Sequence, residues 1–190
     1  MRTVWLAAGV GLMFTVPGWA ADAASAGLQP AVWKEQHLTF YYVGRTARYS
    51  CQGLRDKVHS LLLEMGARRD LKVSVLACDE SASRLGASSL GPNLGLVFSS
   101  PSPVDAAVKP LAPGDLSSVD ARYDPFTLTS DLFRNWGLGD CELIEEFTRQ
   151  ILPKLATRDV RQDIACVPNQ MSGSRFFVRG EILRATGSSP

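Results

Sequence analysis

The sequence contains only two histidines, His37 and His59, and no two cysteines stand at C-x-x-C spacing. Structural zinc sites and thioredoxin-type redox centres both depend on such close pairs, so we expect no metal and no cofactor. There is also no excess of one charge, because 20 Lys and Arg stand against 19 Asp and Glu. A dedicated nucleic-acid surface needs a basic excess to neutralise phosphates, so we expect no nucleic-acid partner.

The sequence has one long apolar run, and it lies at the N-terminus. Arg2 is followed by an uncharged run over residues 3–16 and then by Pro17, Gly18, Trp19 and Ala20, in which Gly18 and Ala20 are small. The run is shorter than the about 18 to 20 apolar residues that a membrane-spanning helix needs. This pattern predicts a signal peptide over residues 1–20, with cleavage after Ala23 or an uncleaved anchor as alternatives. We expect no transmembrane segment after cleavage, and a periplasmic or secreted product.

All four cysteines follow the predicted signal peptide: Cys51, Cys78, Cys141 and Cys166. In an oxidising compartment an even number of cysteines favours disulfides, and four cysteines allow three pairings. An internal repeat favours one of them. Each half has a helix-capping residue, a cysteine, a helical run, an Arg-Asp turn, a strand and a closing cysteine, with 27 and 25 residues from the first to the second cysteine.

The order of elements in each repeat predicts which cysteines meet. A helix that is joined to a strand by a tight turn lies antiparallel to it, so the start of the helix and the end of the strand reach the same edge of the domain. We therefore predict structural disulfides between Cys51 and Cys78 and between Cys141 and Cys166. Closing a loop of this length stabilises a fold by about 3 to 4 kcal/mol.

The apolar periodicity predicts six strands and two helices. The fold class is α+β, a two-layer sandwich of a mainly antiparallel sheet with both helices on one face, in which each half runs strand, helix, strand, strand. Without the weak strand near Phe126, the order becomes a ferredoxin-like fold with an extra strand. The strands are predicted at 38–43, 72–76, 93–98, 126–128, 160–167 and 176–183. The first helix is predicted between Ser50 and Gly66. Asp140 is predicted to cap the second helix, which kinks or stops at Pro153.

Composition divides the rest of the chain. Residues 21–32 are rich in alanine and small polar residues, which is typical of a disordered leader. Five of the eleven prolines lie in 101–125, which predicts a long surface loop. We expect one domain over 33–185 and a short tail at 186–190.

Three segments, 40–54, 139–143 and 156–160, resemble a group of small exported proteins of Gram-negative bacteria with four cysteines. The resemblance covers most of the mature chain, and 82–129 matches poorly. It implies export and the cysteine framework. The group has no characterised function, so the resemblance supplies no catalytic residue.

No catalytic residue can be assigned from the sequence. A Ser-His-Asp hydrolase would need His37 or His59 as base beside a serine on a sharp turn, and the nearest candidate, 86–91, has the wrong spacing. This segment also lacks the lysine of a phosphate-binding loop, which favours a flexible connection. Our hypothesis is a non-enzymatic binding or accessory module that contacts an envelope protein or a cell-surface polymer, and the alternative is a periplasmic hydrolase or hydrolase inhibitor.

One anion-binding site is predicted, at the loop that enters the first helix. Arg45, Arg48 and Tyr49 precede the helix start, where amide protons and the positive end of the helix dipole favour an anion. The segment 45–72 is rich in basic residues and 115–146 in acidic ones. We interpret both mainly as solvated faces, although such asymmetry can mark a contact surface.

Overall fold

A computed structural model describes residues 27–78, 92–104, 118–129, 140–169 and 174–187. Within these ranges, the two halves of the chain have the same order of elements: a strand, a helix and then two strands. The elements are β1 (Gln29–Tyr41), α1 (Cys51–Glu64), β2 (Lys72–Ala77), β3 (Asn93–Pro103), β4 (Ser118–Thr129), α2 (Cys141–Gln150), β5 (Thr157–Ala165) and β6 (Arg175–Ala185).

The strands form one six-stranded sheet in the order β2-β3-β1-β4-β6-β5, and neighbours are antiparallel throughout. Each half supplies three adjacent strands, with its second strand at the outer edge and its first strand at the centre. The halves meet where residues 29–32 of β1 pair with 118–121 of β4. The predicted antiparallel sheet of six strands is confirmed.

Both helices pack on one face of the sheet and form the main core with it. Their apolar side chains recur every three or four residues, so they lie on one side of each helix. The sheet contributes side chains from alternate positions of its strands, as a pleated strand requires. The core includes Phe40, Leu54, Val58, Leu61, Leu96, Phe98, Leu128, Ile144, Phe147 and Val178, which are all at most 1% exposed.

The ends of the helices follow local sequence signals. The Ser50 hydroxyl accepts the amide proton of Gly53 at 3.0 Å and caps α1. Gly66 follows α1 with φ +80°, a left-handed conformation that glycine adopts without strain. α2 ends at Gln150, and Pro153 lies in the short 3-10 turn that follows it. The predicted early stop is therefore confirmed.

Two expectations about irregular segments were wrong. β1 begins at Gln29, within the leader that was expected to be disordered. The expected loop 101–125 is strand at both ends, because β3 runs to Pro103 and β4 begins at Ser118. Proline is tolerated there because these parts of β3 and β4 pair with a strand on one side only, so a missing amide proton breaks no ladder bond.

Three further predictions concern residues that lie wholly or partly outside the described ranges. They are the signal peptide over 1–20, the flexible connection 86–91 and the tail 186–190, of which only 186 and 187 are described. No helix within the described ranges is long and apolar enough to cross a membrane.

Candidate functional site

Both disulfides join the start of a helix to the end of the following strand. Cys51 and Cys78 have Cα atoms 6.0 Å apart, and Cys141 and Cys166 have Cα atoms 5.6 Å apart. Both distances lie within the range of unstrained disulfides. The predicted pairing is confirmed, and each half is closed on itself.

Beside the disulfides, the loop after β1 holds a carboxylate of α2. Glu142 accepts the amide protons of Arg45 and Thr46 at 2.8 and 2.9 Å, and the Thr46 hydroxyl lies 3.0 Å from its other oxygen. That hydroxyl oxygen also accepts the amide proton of Asn169 at 2.9 Å. Glu142 is 7% exposed, so these bonds replace most of its hydration. The loop thus connects the first half to two segments of the second half.

A second carboxylate joins the two helices. The Asp140 side chain is 3% exposed, and its Oδ2 lies 2.6 Å from the Nζ of Lys57 on α1. Its Oδ1 accepts the hydroxyl proton of Tyr49. A buried charge is costly without such partners, and here a cation and a hydroxyl supply them.

The sequence predicted that Asp140 caps α2. In the structure its side chain forms no capping hydrogen bond. Its backbone is already helical, with φ −79° and ψ −4°, whereas a capping residue has extended backbone. The carboxylate instead binds Lys57 and Tyr49, more than eighty residues earlier in the chain. The capping prediction was therefore wrong, because a contact between the halves takes the place of the local one.

Two tyrosines, Tyr42, which is buried, and Tyr49, which is half-buried, complete this network. Tyr42 and Tyr49 pack edge to face with ring centroids 5.1 Å apart, and the Tyr42 hydroxyl donates to the Ala47 carbonyl at 2.7 Å. Burial raises the pKa of both hydroxyls; the nearby charge of Glu142 raises the pKa of Tyr42 further, and the hydrogen bond to Asp140 raises that of Tyr49. Both phenols therefore remain protonated donors in the folded protein.

We expect alkaline pH to unfold the protein through these two tyrosines. An unfolded tyrosine ionises near pH 10, whereas the folded-state pKa of Tyr42 and Tyr49 is higher. Above pH 10 the unfolded state therefore binds fewer protons, and stability falls as the pH rises. Tyrosinate absorbance at 295 nm from these residues should appear together with the loss of far-ultraviolet circular dichroism.

The Tyr42→Phe/Tyr49→Phe variant assigns that signal. On alkaline unfolding, the absorbance at 295 nm should rise more for wild type than for the variant. If the absorbance at 295 nm rises equally for wild type and variant at unfolding, Tyr42 and Tyr49 are not the groups that stay protonated until the protein unfolds.

Position 44 in the same loop requires glycine, because other atoms of the loop lie where a side chain would begin. A Cβ atom at this position would overlap the Tyr42 hydroxyl and the Ala47 carbonyl oxygen. We expect Gly44→Ala to lower the free energy of unfolding by about 2 kcal/mol, because it forces this hydrogen bond apart. Urea unfolding measures the change. Gly53→Ala on α1 is the comparison variant. A Cβ atom there would lie 3.0 Å from the Ser50 hydroxyl oxygen, which can shift, and alanine favours the helix, so we expect a smaller loss than for Gly44→Ala.

The predicted anion-binding loop is thus engaged with the chain's own carboxylates. The side chains of Arg45 and Arg48 are exposed, while the Arg45 amide binds Glu142 and the Tyr49 hydroxyl binds Asp140. Binding of an external anion by this loop stays a prediction.

Sequence analysis missed the carboxylates of this network. One available signal was the charge asymmetry between 45–72 and 115–146, which we interpreted mainly as two solvated faces. Lys57 belongs to the first segment, and Asp140 and Glu142 belong to the second. The opposite charges mark, at these positions, where the halves of the chain meet.

The two histidines lie apart. His37 is on β1 and its Nε2 lies 2.7 Å from the Glu35 carboxylate, with both side chains more than half exposed. His59 is a half-buried residue of α1. Among the described residues, no group of three or more His, Cys, Asp and Glu side chains could hold a metal ion.

The other face of the sheet, away from the helices, carries arginines in its second half. The Arg158 guanidinium lies 4.1 Å from the centre of the Tyr123 ring and forms an ion pair with Glu181. Arg179 lies 5.4 Å from the centre of the Phe177 ring. Both arginines are exposed, although Ala121 and Leu183 of the same face are buried in a small second cluster.

These features define a class of protein: a two-layer α+β domain with one disulfide in each half and a buried polar network between the halves. Disulfides of this kind are typical of proteins that fold in an oxidising compartment. No family model, no curated protein and no solved structure matches the chain.

Proposed function

We propose that this chain is an exported protein of the cell envelope, periplasmic or secreted, and that it works as a non-enzymatic binding or accessory module. The observation that carries the proposal is the pair of disulfides, one closing each half of the domain. Such bonds persist outside the reducing cytosol. The partner is another envelope protein or a cell-surface polymer.

Two features of the sequence support export. The charged start and short apolar run of residues 1–20 are typical of a cleaved signal peptide. The chain also resembles small exported proteins of Gram-negative bacteria that have four cysteines. The shared order of elements and the near-equal cysteine spacings further support an internal repeat, in which each unit has its own bridge.

A binding role is supported by the arginines on the sheet face opposite the helices. Arg158, Arg161 and Arg179 are exposed there on paired strands. Strands hold side chains more rigidly than loops do, and preordered side chains lose less entropy when a partner binds.

Export is tested by producing the full-length chain with a C-terminal tag in a Gram-negative bacterium. Wild type should appear outside the cytoplasm, shortened at the N-terminus and resistant to thiol alkylation. Leu12→Arg places a charge in the apolar run and should leave the chain in the cytoplasm with reactive thiols, whereas Leu12→Ile should be exported normally. Export of the Leu12→Arg variant at the wild-type level would contradict the signal peptide.

The binding role is tested separately with the purified mature chain. Labelled protein is incubated with isolated envelopes, and the bound fraction is measured after sedimentation. Saturable binding that unlabelled protein displaces is the expected result. A chain that is exported but does not associate with envelope fractions or secreted polymers would contradict the binding module and leave the export proposal standing.

A further inference from the structure

Two arginines face each other across the edge of the sheet. Arg161 on β5 is directly opposite Arg179 on β6, and both are exposed. Side chains opposite each other in an antiparallel pair point to the same face, and like charges in such a pair are destabilising. We call Arg161 and Arg179 the arginine pair. Its repulsion is relieved when an anion binds both guanidinium groups.

Two acidic side chains on this face are paired with arginines other than the arginine pair. Glu181 pairs with Arg158, and Asp163 lies 3.5 Å from Arg175. Within the described ranges, no carboxylate forms an ion pair with either member of the arginine pair. The face therefore has net positive charge, centred on that pair.

A bulge in β5 brings a third arginine to the same face. Arg158 and Arg161 are three residues apart, and in a regular strand they would point to opposite faces. The register shifts between them, and Asp159 has a left-handed φ of +53°. Three steps along β5 thus match two steps along β6, so Arg158 lies opposite Glu181 and Arg161 opposite Arg179. Bulges often redirect side chains in this way at functional sites.

Aromatic rings orient two of the three guanidinium groups. Arg158 lies over Tyr123 and Arg179 lies over Phe177, and both rings are half-buried in the sheet surface. Stacking on an aromatic face restricts a guanidinium without using its hydrogen-bond donors. The donors of Arg179 remain available for the two-point contact with a carboxylate. Arg158 already donates through Nε to Glu181 and offers its remaining donors.

We propose that Arg158, Arg161 and Arg179, with Tyr123 and Phe177, bind a polysaccharide that bears carboxylate groups. We call these five residues the arginine face. The proposal rests on the proposed function and names the partner class. The aromatic edges provide apolar surface for sugar rings, and the three arginines bind acid groups that recur along a polymer.

The distribution of apolar side chains favours a polymer over a protein partner. Protein interfaces usually have a desolvated apolar centre. Of the large apolar side chains that are exposed within the described ranges, Val160 alone belongs to β5, and none belongs to β4 or β6. The near-neutral charge of the whole chain disfavours a nucleic acid, and the ion pairs on the face already show guanidinium bound to carboxylate.

The test measures binding of the disulfide-bonded mature chain to polygalacturonate by isothermal titration calorimetry. Neutral dextran, polyglutamate and polyphosphate of similar length are the comparison polymers. Wild type should bind polygalacturonate, with an affinity that falls as salt is raised. Arg161→Gln/Arg179→Gln should weaken binding by about 10-fold to 100-fold, because hydrogen bonds between charged groups are lost. Arg45→Gln/Arg48→Gln, at the other predicted anion site, should bind as wild type does. Unfolding curves verify that both variants are folded.

Each other outcome overturns the proposal. Absence of polygalacturonate binding, equal binding to polyglutamate or to dextran, or binding to polyphosphate alone would exclude a carboxylate polysaccharide. Loss of binding in the Arg45/Arg48 variant with retention in the Arg161/Arg179 variant would move the site to the helix-entry loop. If envelopes bind the chain while polygalacturonate does not, the binding module stands and this partner class is excluded.

Discussion

Lys57→Met is expected to lower the free energy of unfolding by about 3 kcal/mol, because it leaves the Asp140 carboxylate buried without its cation. The Lys57 side chain is 26% exposed and that of Asp140 is 3% exposed, so water replaces little of the lost interaction. Because Tyr49 still donates a hydrogen bond to Asp140, the expected loss in free energy of unfolding is at the lower end of the range for breaking a buried ion pair. Urea unfolding at neutral pH measures the change.

Lys72→Met is the matched control for this variant. Lys72 is exposed on β2 at the edge of the sheet, and its replacement should change stability by less than about 0.5 kcal/mol. The double variant Lys57→Met/Asp140→Asn removes both charges and should be more stable than Lys57→Met alone. Equal effects of Lys57→Met and Lys72→Met would show that the ion pair does not join the halves in solution.

Removing both disulfides is expected to have the largest effect of any change proposed for this protein. Each closes a loop, of 27 residues in one case and 25 in the other, which corresponds to about 3.5 kcal/mol of stabilisation for each bond. The loops do not overlap, so their loss should add to about 7 kcal/mol. Typical domains are stable by about 5 to 15 kcal/mol, so the chain without either bond should be largely unfolded at 37 °C.

The single-bond variants separate the two contributions. Cys51→Ala/Cys78→Ala and Cys141→Ala/Cys166→Ala should each remain folded at 25 °C, with a lower denaturation midpoint. The second variant should lose more, because Cys141 is buried and Cys51 is half-buried. A four-alanine variant that unfolds at the wild-type temperature would contradict the stabilising role of the bonds.

The features that sequence analysis predicted correctly depend on short-range signals. The start of α1 at Ser50, the glycine after it and the stop before Pro153 are determined by neighbouring residues. The disulfide pairing followed from the order helix, turn, strand, which fixes the geometry inside each half. The antiparallel sheet followed from counting such units.

The features that it missed depend on residues far apart in the chain. The end of β3 and the interior of β4 contain prolines, which the composition assigned to a loop, and only the strand pairing shows that no ladder bond is lost there. Glu142 and Asp140 bind residues more than eighty positions away. The bulge that aligns Arg158 with Arg161 arises from pairing with β6, so local periodicity would have placed these arginines on opposite faces.

The claim that each half of the domain closes on itself is tested most directly by non-reducing peptide mapping of the exported protein. Digestion and mass spectrometry should yield one linked peptide pair with Cys51 and Cys78 and another with Cys141 and Cys166, with no alkylated cysteine. Alkylated cysteines in the exported chain, or a bond that joins a cysteine of the first half to one of the second, would contradict it.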